Sequence, residues 1–464
     1  MEEKNFIDRI EELSKLREAL ERKGAELIIL YGRRRIGKSR LLKEAERKTK
    51  NAIFVMMEDA DYSTNLKKFS EAVAKNRGLP SFSPKSFREA FESINEMAVV
   101  FIDEYSYIGN ATGEFQAIWE EVAKPKKIKL LLSGSLVRVM EDLNYSLKSP
   151  LYGRATMIMK VNPLAFQHVI GWYGEKSGLE KVFQTYFSVG GVPRYLEIIE
   201  KPGKEHIMGA FFSKNGLLLR EGKLLLKESF PSSNIFPKIL FSIAGGATEA
   251  TKIANETQLK ANEISKYLAI LADYGFVEKR YPLLDAGKKD TRFYVADNFF
   301  AFWALFVWPH YTDLDAGANE NALDYFSRGF DEYSGAMFEK TILEILRMKQ
   351  GLAGVKFTSI GRQWGRFKGE RGKNTYDIDI LAVNRQTKEA LFGECKWSKN
   401  VDALQIAHEI NGKTKYVKWN DLERKEILAV FAKSFSRKIS ELDGKPVKCF
   451  DLEDIQKIIG KTIA

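Results

Sequence analysis

Two groups of residues have the types and spacing to do chemistry. The first is the octet Gly32 to Ser39, "GRRRIGKS", which fits G-x-x-x-x-G-K-[ST] between an apolar run, Leu27 to Leu30, and a stretch rich in Leu, Lys and Glu. In a strand, loop and helix setting, backbone N–H groups and a helix N-terminus surround phosphates. Lys38 then neutralises the β/γ oxygens and Ser39 offers a hydroxyl to Mg2+. The stretch Gly32, Arg33, Arg34, Arg35, Ile36, Gly37, Lys38, Ser39 and Arg40 is therefore expected to line a triphosphate, with the three consecutive arginines either facing it or simply solvated. Further on, the apolar run Val99 to Ile102 ends in Asp103 and Glu104. Asp103 is expected to hold Mg2+ through water and Glu104 to polarise the attacking water. A third run, "KIKLLLSGSL", ends in Ser133 and Ser135, either a contact to the γ-phosphate or the water, or a plain exit from a strand. The guanine-reading pattern N-K-x-D does not follow, which makes ATP the expected nucleotide.

The second group is Asp377, Asp379, Glu394 and Lys396 in "YDIDILAVNRQTKEALFGECKW", two strand-like runs joined by a polar turn. Side chains alternate along a strand, so Asp377 and Asp379 share one face, and Glu394 and Lys396 share a face of the next strand. Carboxylates that hold a divalent ion beside a lysine that orients water are what metal-dependent phosphodiester cleavage requires. The alternative is a set of surface ion pairs on an edge hairpin, worth little energetically.

The elements that must position these groups fall into several domains, because 464 residues exceed one ordinary core. With 44% hydrophobic and 29% charged residues, the composition is that of a folded chain rather than a disordered one. The net charge of +11 and pI near 9.2 favour an anionic partner such as DNA. Residues 331–464 hold 25 Lys+Arg against 19 Asp+Glu, so more than half of the excess lies there. Two cysteines without metal-ligand spacing, no apolar leader and no run long enough for a bilayer point to a cytoplasmic protein without membrane contact. Residues 234–298 read as two helices, the second with Ile264, Leu268 and Leu271 on one face, followed by a hairpin, the pattern of a winged helix. Its polar candidates for DNA are Lys260, Asn262, Lys266, Lys288 and Lys289, although such modules also dock proteins. The aromatic run through Trp303, Phe306, Trp308 and Tyr311 reads as a helical connector, and residues 361–373 as a basic loop with Trp364 and Phe367 interleaved.

Taken in order, "FIDRIEELSKL", "GRRRIGKS", "VVFIDE", "LLLSGS", "SPLYGR" and "VGGVPRYL" resemble the archaeal-type ATPase family, a branch of the AAA+-like P-loop ATPases allied to the signal-transducing class with numerous domains. The resemblance implies that Phe6, Asp8, Arg9 and Glu12 sit by the adenine, and that Gly190, Gly191 and Pro193 belong to a helical lid that closes over the nucleotide. It offers Arg154 as a charge sensor or arginine finger, against the alternative of a surface arginine. The second group resembles the PD-(D/E)XK nuclease fold of the resolvase-like branch, with Asp379, Glu394 and Lys396 in the motif and Glu339 as an additional acid from an earlier helix. The proline of that motif is missing, "YDID" standing in its place.

The expected fold class is thus α/β: a P-loop (AAA+-like) parallel sheet (1–160), a helical lid (161–232), a winged-helix domain (233–298), a helical connector (299–330) and a C-terminal α/β restriction-endonuclease-like domain (331–464). The expected function is an ATP-binding and ATP-hydrolysing enzyme, using Mg2+, coupled to DNA binding and to metal-dependent cleavage through Glu339, Asp379, Glu394 and Lys396. The alternative is a regulatory scaffold or DNA-binding switch with an inactive nuclease fold, with a protein partner or a second copy of the chain engaged.

Overall fold

The apolar run before the glycine-framed octet forms β1 (Glu26–Tyr31), buried at every position. It lies fourth in an all-parallel sheet of order β2-β3-β4-β1-β5, with β2 Ala52–Met56, β3 Val99–Asp103, β4 Lys129–Gly134 and β5 Met157–Lys160. Parallel sheets are covered on both faces, which is why β1 and β3 read as unbroken apolar runs. One face, with Leu27, Ile29, Val100, Ile102 and Leu130, packs on Phe69, Phe87, Phe115 and Trp119. The other, with Ile28, Leu30, Phe101 and Leu131, packs on Leu13 and Leu16 of α1 (Ile10–Glu21) and on Leu41 and Leu42 of α2 (Lys38–Glu46). All strands point one way, so the segments that follow β1, β3 and β4 meet at a single edge of the sheet.

This computed structural model describes residues 9–460 apart from 81, 136–139, 141–150, 231–233, 285–289, 350–355 and 368–374. Phe6, Asp8, Lys288 and Lys289 lie outside the described residues. The chain forms two compact units: Met1–Leu164 with Val192–Arg194, and Ala165–Gly191 with Tyr195–Ala464. The stretches expected as lid, winged helix, connector and nuclease-like domain therefore fall, almost entirely, within one unit.

In that second unit three helices, Ile235–Ala244, Ala250–Thr257 and Ala261–Asp273, precede an antiparallel hairpin of β6 (Val277–Arg280) and β7 (Arg292–Val295). Ile264, Leu268 and Leu271 are the buried residues of the third helix. The first part of the aromatic run is core, with Trp308 and Tyr311 half-buried: Phe302, Trp303 and Phe306 are fully buried, and Phe302 and Phe306 meet Phe326, Phe330 and Tyr333 of the 29-residue helix Glu320–Met348. Trp303 lies so close to Gly222 that a Cβ there would stand 2.2 Å from the indole. Among the described residues no helix is long and apolar enough to cross a membrane.

The chain's last third builds a mixed sheet of order β14-β15-β12-β10-β9-β8, from β8 Ser359–Arg366, β9 Thr375–Asn384, β10 Glu389–Lys396, β12 Lys425–Ala432, β14 Glu441–Leu442 and β15 Lys445–Phe450. β8, β9 and β10 run antiparallel, while β10, β12 and β15 run parallel. A short ribbon pairs β11 (Val401–Asp402) with β13 (Phe435–Arg437). Leu381, Val383, Phe392 and Leu428 pack on Ile406, Ala407 and Ile410 of the helix Ala403–Thr414. The stretch read as a basic loop instead begins as edge strand β8, with Trp364 buried and its Nε1 donating to the Asp290 carbonyl at 2.9 Å.

Candidate functional site

At the converging edge of the parallel sheet, residues 32–37 turn sharply between β1 and α2. Glycine is required at both ends of the turn. A Cβ on Gly32 would stand 2.4 Å from the Val161 carbonyl oxygen, and Gly37, the residue preceding α2, has a left-handed φ of 93°. Arg35 also adopts a left-handed φ of 68°, a backbone state that a branched or bulky residue avoids. Lys38 opens α2 only 4% exposed, its Nζ donating to the Arg33 carbonyl at 3.1 Å. Burial pushes its ammonium below the usual lysine range, with Glu104 and Asp103 pulling it back up. Ser39 is half-buried, and Arg34, Arg35 and Arg40 are exposed.

The two acids after β3 are held by the two serines after β4. Ser133 Oγ donates to Asp103 Oδ1 at 2.7 Å, both side chains fully buried, and the Glu104 amide donates to the same oxygen at 3.0 Å. Ser135 Oγ and N donate to Glu104 Oε2 at 2.8 and 3.2 Å. Ser133 Oγ, expected at the γ-phosphate or the water, is thus directed at Asp103, and Ser135 Oγ at Glu104. Glu104 has a φ of 52°, a left-handed backbone of the kind that costs about 1–3 kcal/mol and persists where surroundings enforce it. Asp103 Oδ2 is buried and has no hydrogen-bond partner among the described residues. An acceptor left bare inside a protein is costly, and a hydrated divalent cation is the partner its charge suits, so the donor set fits Mg2+.

Arg9 is brought to the phosphate loop. Its guanidinium donates to the Ile36 carbonyl at 3.1 Å and the Asn162 carbonyl at 2.6 Å and pairs with Glu12 at 2.8 Å. Pro193 approaches the same loop, its Cγ lying 3.9 Å from where a Gly37 Cβ would be. Gly191 falls in the second unit, next to Gly190, whose φ of 61° places its absent Cβ 3.6 Å from Asn298. Arg154 is not brought to the phosphate loop. It precedes β5 and bonds Glu120 Oε1 at 2.9 Å, toward the edge at which the parallel strands begin.

In the second unit, the register that sets Gly393 opposite Ile380 brings Glu394 beside Asp379. Both carboxylates are buried, and the Cys395 amide donates to Asp379 Oδ2 at 3.0 Å. The long helix Glu320–Met348 delivers Glu339 to the same place. Burial, then the neighbouring Asp379 charge, pushes its carboxyl up to about 8. Asp379 is pushed up to about 6 by burial and Glu394. Among these acids lies a cation that sequence reasoning missed. In β8, Trp364 pairs with Asp377, so Arg362, two residues earlier and beside a register irregularity between Gly361 and Gln363, lies on the face of Asp377 and Asp379. Its nitrogens stand 2.8 Å from Glu339, 3.3 Å from Asp377 and 3.7 Å from Asp379. Arg292 of β7 also pairs with Asp377, and Lys396 and Lys413 flank Glu394 at 3.1 and 3.0 Å. Four carboxylates thus meet four cations of the same chain.

The metal set expected from Glu339, Asp379 and Glu394 does not fit this arrangement. Among the described residues no three His, Cys, Asp or Glu side chains converge in a way that could hold a metal ion. The physical reason is Arg362, which stands among the carboxylates and meets their charge directly. Gln405, on the helix Ala403–Thr414, donates to Glu409 at 3.0 Å on an exposed face. Next to Lys396, Trp397 is wedged between Phe183 and Phe187 of the helix Leu179–Val189 and Phe338 of the long helix, with ring centroids 5.1–5.6 Å apart.

A glycine-framed loop at the edge of a parallel sheet, with a buried lysine and two buttressed acids, defines the first unit as a P-loop nucleotide-hydrolase fold. Residues 6–199 match an ATPase domain predominantly from Archaea, and residues 303–410 match a family described as "Archaea bacterial proteins of unknown function". The uncharacterized protein MJECL04 of Methanocaldococcus jannaschii is 31% identical over 459 residues, covering 97% of this chain and 99% of that protein. The chain belongs to this archaeal-type ATPase family. Among solved structures, the Walker-type ATPase of Pyrococcus abyssi is similar at 20% identity, with a TM-score of 0.49 over 65% of this chain and 97% of that one. The Aeropyrum pernix ORC2 protein is similar at 14% identity, with a TM-score of 0.47 over 68% of this chain and 96% of that one.

Proposed function

We propose that the chain hydrolyses ATP at the phosphate loop and uses the nucleotide state to control a DNA-binding second unit. The observation that carries the hydrolytic part is the serine-held pair of acids facing a buried lysine. Lys38 neutralises the β/γ-phosphate oxygens, Glu104, oriented by Ser135, accepts the proton of the attacking water, and the phosphate loop amides steady the charge that develops on the leaving diphosphate. Ser39 and Asp103 would hold Mg2+, which when bound neutralises charge between the phosphates. The DNA part is supported by the helix trio with its β6–β7 hairpin, read as a winged helix with Lys260, Asn262 and Lys266 exposed on or next to its third helix, and by the basic charge of the C-terminal third.

Of the two readings of the acid cluster, the four cations that meet its carboxylates favour a DNA-binding switch on a nuclease-like fold over metal-dependent cutting. One experiment separates them. The purified chain, its Lys38→Ala variant and its Glu394→Ala variant are incubated with branched, linear and supercoiled DNA, with and without ATP and Mg2+ or Mn2+. Loss of phosphate release in Lys38→Ala together with DNA retardation and no nicking supports the switch. Metal-dependent nicking that Glu394→Ala abolishes would restore the nuclease, and phosphate release by Lys38→Ala equal to the parent's would overturn the ATPase assignment.

A further inference from the structure

At the edge where the parallel strands begin, opposite the phosphate loop, the first unit has a second cleft of about 710 Å³. The end of α1 gives it Arg17, Arg22 and Lys23, and the segment after α2 gives it Lys48 and Lys50. The turns into β3 and β4 add Lys127 and Lys129, while Glu21 is its only acidic lining residue among those described. Leu20 and the exposed Met97 add apolar surface between them.

Helix C-termini attract cations, so part of this charge has an ordinary explanation. Lys129 illustrates it, donating to the Leu20 and Arg22 carbonyls at the end of α1. The magnitudes do not balance, however. Two helix ends supply about one negative charge between them, Glu21 a second and Glu26, which stands 3.8 Å from Arg22, a third, leaving a surplus of about four positive charges. Among the described residues, Arg17, Lys23, Lys48, Lys50 and Lys127 have no carboxylate within ion-pair distance. The turns are also fixed in place: the Met97 amide donates to the Lys126 carbonyl at 2.8 Å, and Met97 and Lys127 both hold left-handed backbones, with φ of 57° and 55°.

We infer that this cleft is a second nucleic-acid contact, taking the phosphodiester backbone of DNA on the ATPase unit at the edge opposite the nucleotide. The inference rests on the DNA-handling reading above and adds to it a site that the winged helix does not supply. A backbone is the ligand that matches several cations spread along an open, partly apolar cleft, because successive phosphates meet separate side chains while sugars lie on Leu20 and Met97.

The test uses the full chain and the variant Lys48→Gln/Lys50→Gln/Lys127→Gln, all three exposed and outside the nucleotide site. Fluorescence anisotropy with a labelled 30-base-pair duplex gives the affinity from 50 to 400 mM KCl, with ATP hydrolysis and thermal melting as folding controls. Each phosphate contact contributes about 0.9 to the slope of log affinity against log salt, so losing three should flatten it by about 2–3 and weaken binding at least tenfold at the lowest salt. A parent that binds DNA and a variant with the same slope and affinity overturn the inference and leave the DNA reading standing. A parent that fails to bind at 50 mM overturns both. Unchanged DNA binding with loss of inorganic polyphosphate binding assigns the cleft to a small anion and also overturns the inference.

Discussion

Removing the Arg362 guanidinium should be the most revealing single change in the second unit. Arg362→Met keeps much of the side chain's volume and deletes the charge that faces Glu339, Asp377 and Asp379. Breaking a buried ion pair by removing one partner costs about 3–5 kcal/mol, because the abandoned charges stay buried. Here the cost must depend on pH. Glu339, pushed up to about 8, and Asp379, pushed up to about 6, both carry protons at pH 5, where neither presents a charge for the guanidinium to meet. The loss should therefore be about 3–5 kcal/mol at pH 9 and shrink toward about 1.5–3 kcal/mol at pH 5, the scale of one hydrogen bond to a charged group. Urea unfolding followed by tryptophan fluorescence at the two pH values measures the difference, Trp364 being held beside Arg292 with the guanidinium 4.5 Å from its ring. An equal loss at both pH values would refute the claim that Arg362 is the counter-charge of these acids.

Three further outcomes follow from the same geometry. Both raised carboxyl groups bind more protons in the folded than in the unfolded chain, so they favour folding below pH 4 and that contribution is lost as pH rises through about 6 for Asp379 and about 8 for Glu339; Glu339→Gln should flatten the decline between pH 6 and 9 in thermal melts, and an unchanged pH profile would count against it. Ser133→Ala takes the hydroxyl donor from Asp103 and should lower the ATP turnover rate about 10- to 100-fold, the equivalent of about 1–3 kcal/mol, with the fold intact by circular dichroism; parental turnover would return Ser133 to a plain strand exit. Gly222→Ala drives a methyl into Trp303 and should cost about 1–3 kcal/mol in urea unfolding, whereas a neutral result would mean that the aromatic core repacks freely.

Much of the first unit was legible because its signals are local. A phosphate loop is defined by spacing within eight residues, and the flanking strand and helix follow from apolar runs covered on both faces. The burial of Ile264, Leu268 and Leu271 was legible for a similar reason, since helical period is read off neighbours in the chain. What escaped lies in contacts between distant segments. Ser133 and Ser135 were visible as residues, but their partners are decided by which strand lies beside which, and β3 and β4 happen to be neighbours. Arg362 was hidden more deeply. Its stretch looks like a basic loop, and only the pairing of β8 with β9, which sets Trp364 opposite Asp377, puts the Arg362 side chain on the face of the acids. Lys413 and Arg292, from a helix and a hairpin far off in sequence, leave no trace in spacing at all.

Trp397 has a mechanical implication. It follows directly on the strand that presents Glu394 and Lys396, yet its ring is gripped by two helices, one of which begins more than two hundred residues earlier. The helix Leu179–Val189 also ties down that sheet through Glu180, which pairs with Lys433 and Lys399, and ties down the long helix through the Tyr186 hydroxyl on Glu344. These contacts join the shorter helix to the end of the acid-bearing strand and to the helix that carries Glu339. A displacement of that helix would reach the carboxylates through packed side chains.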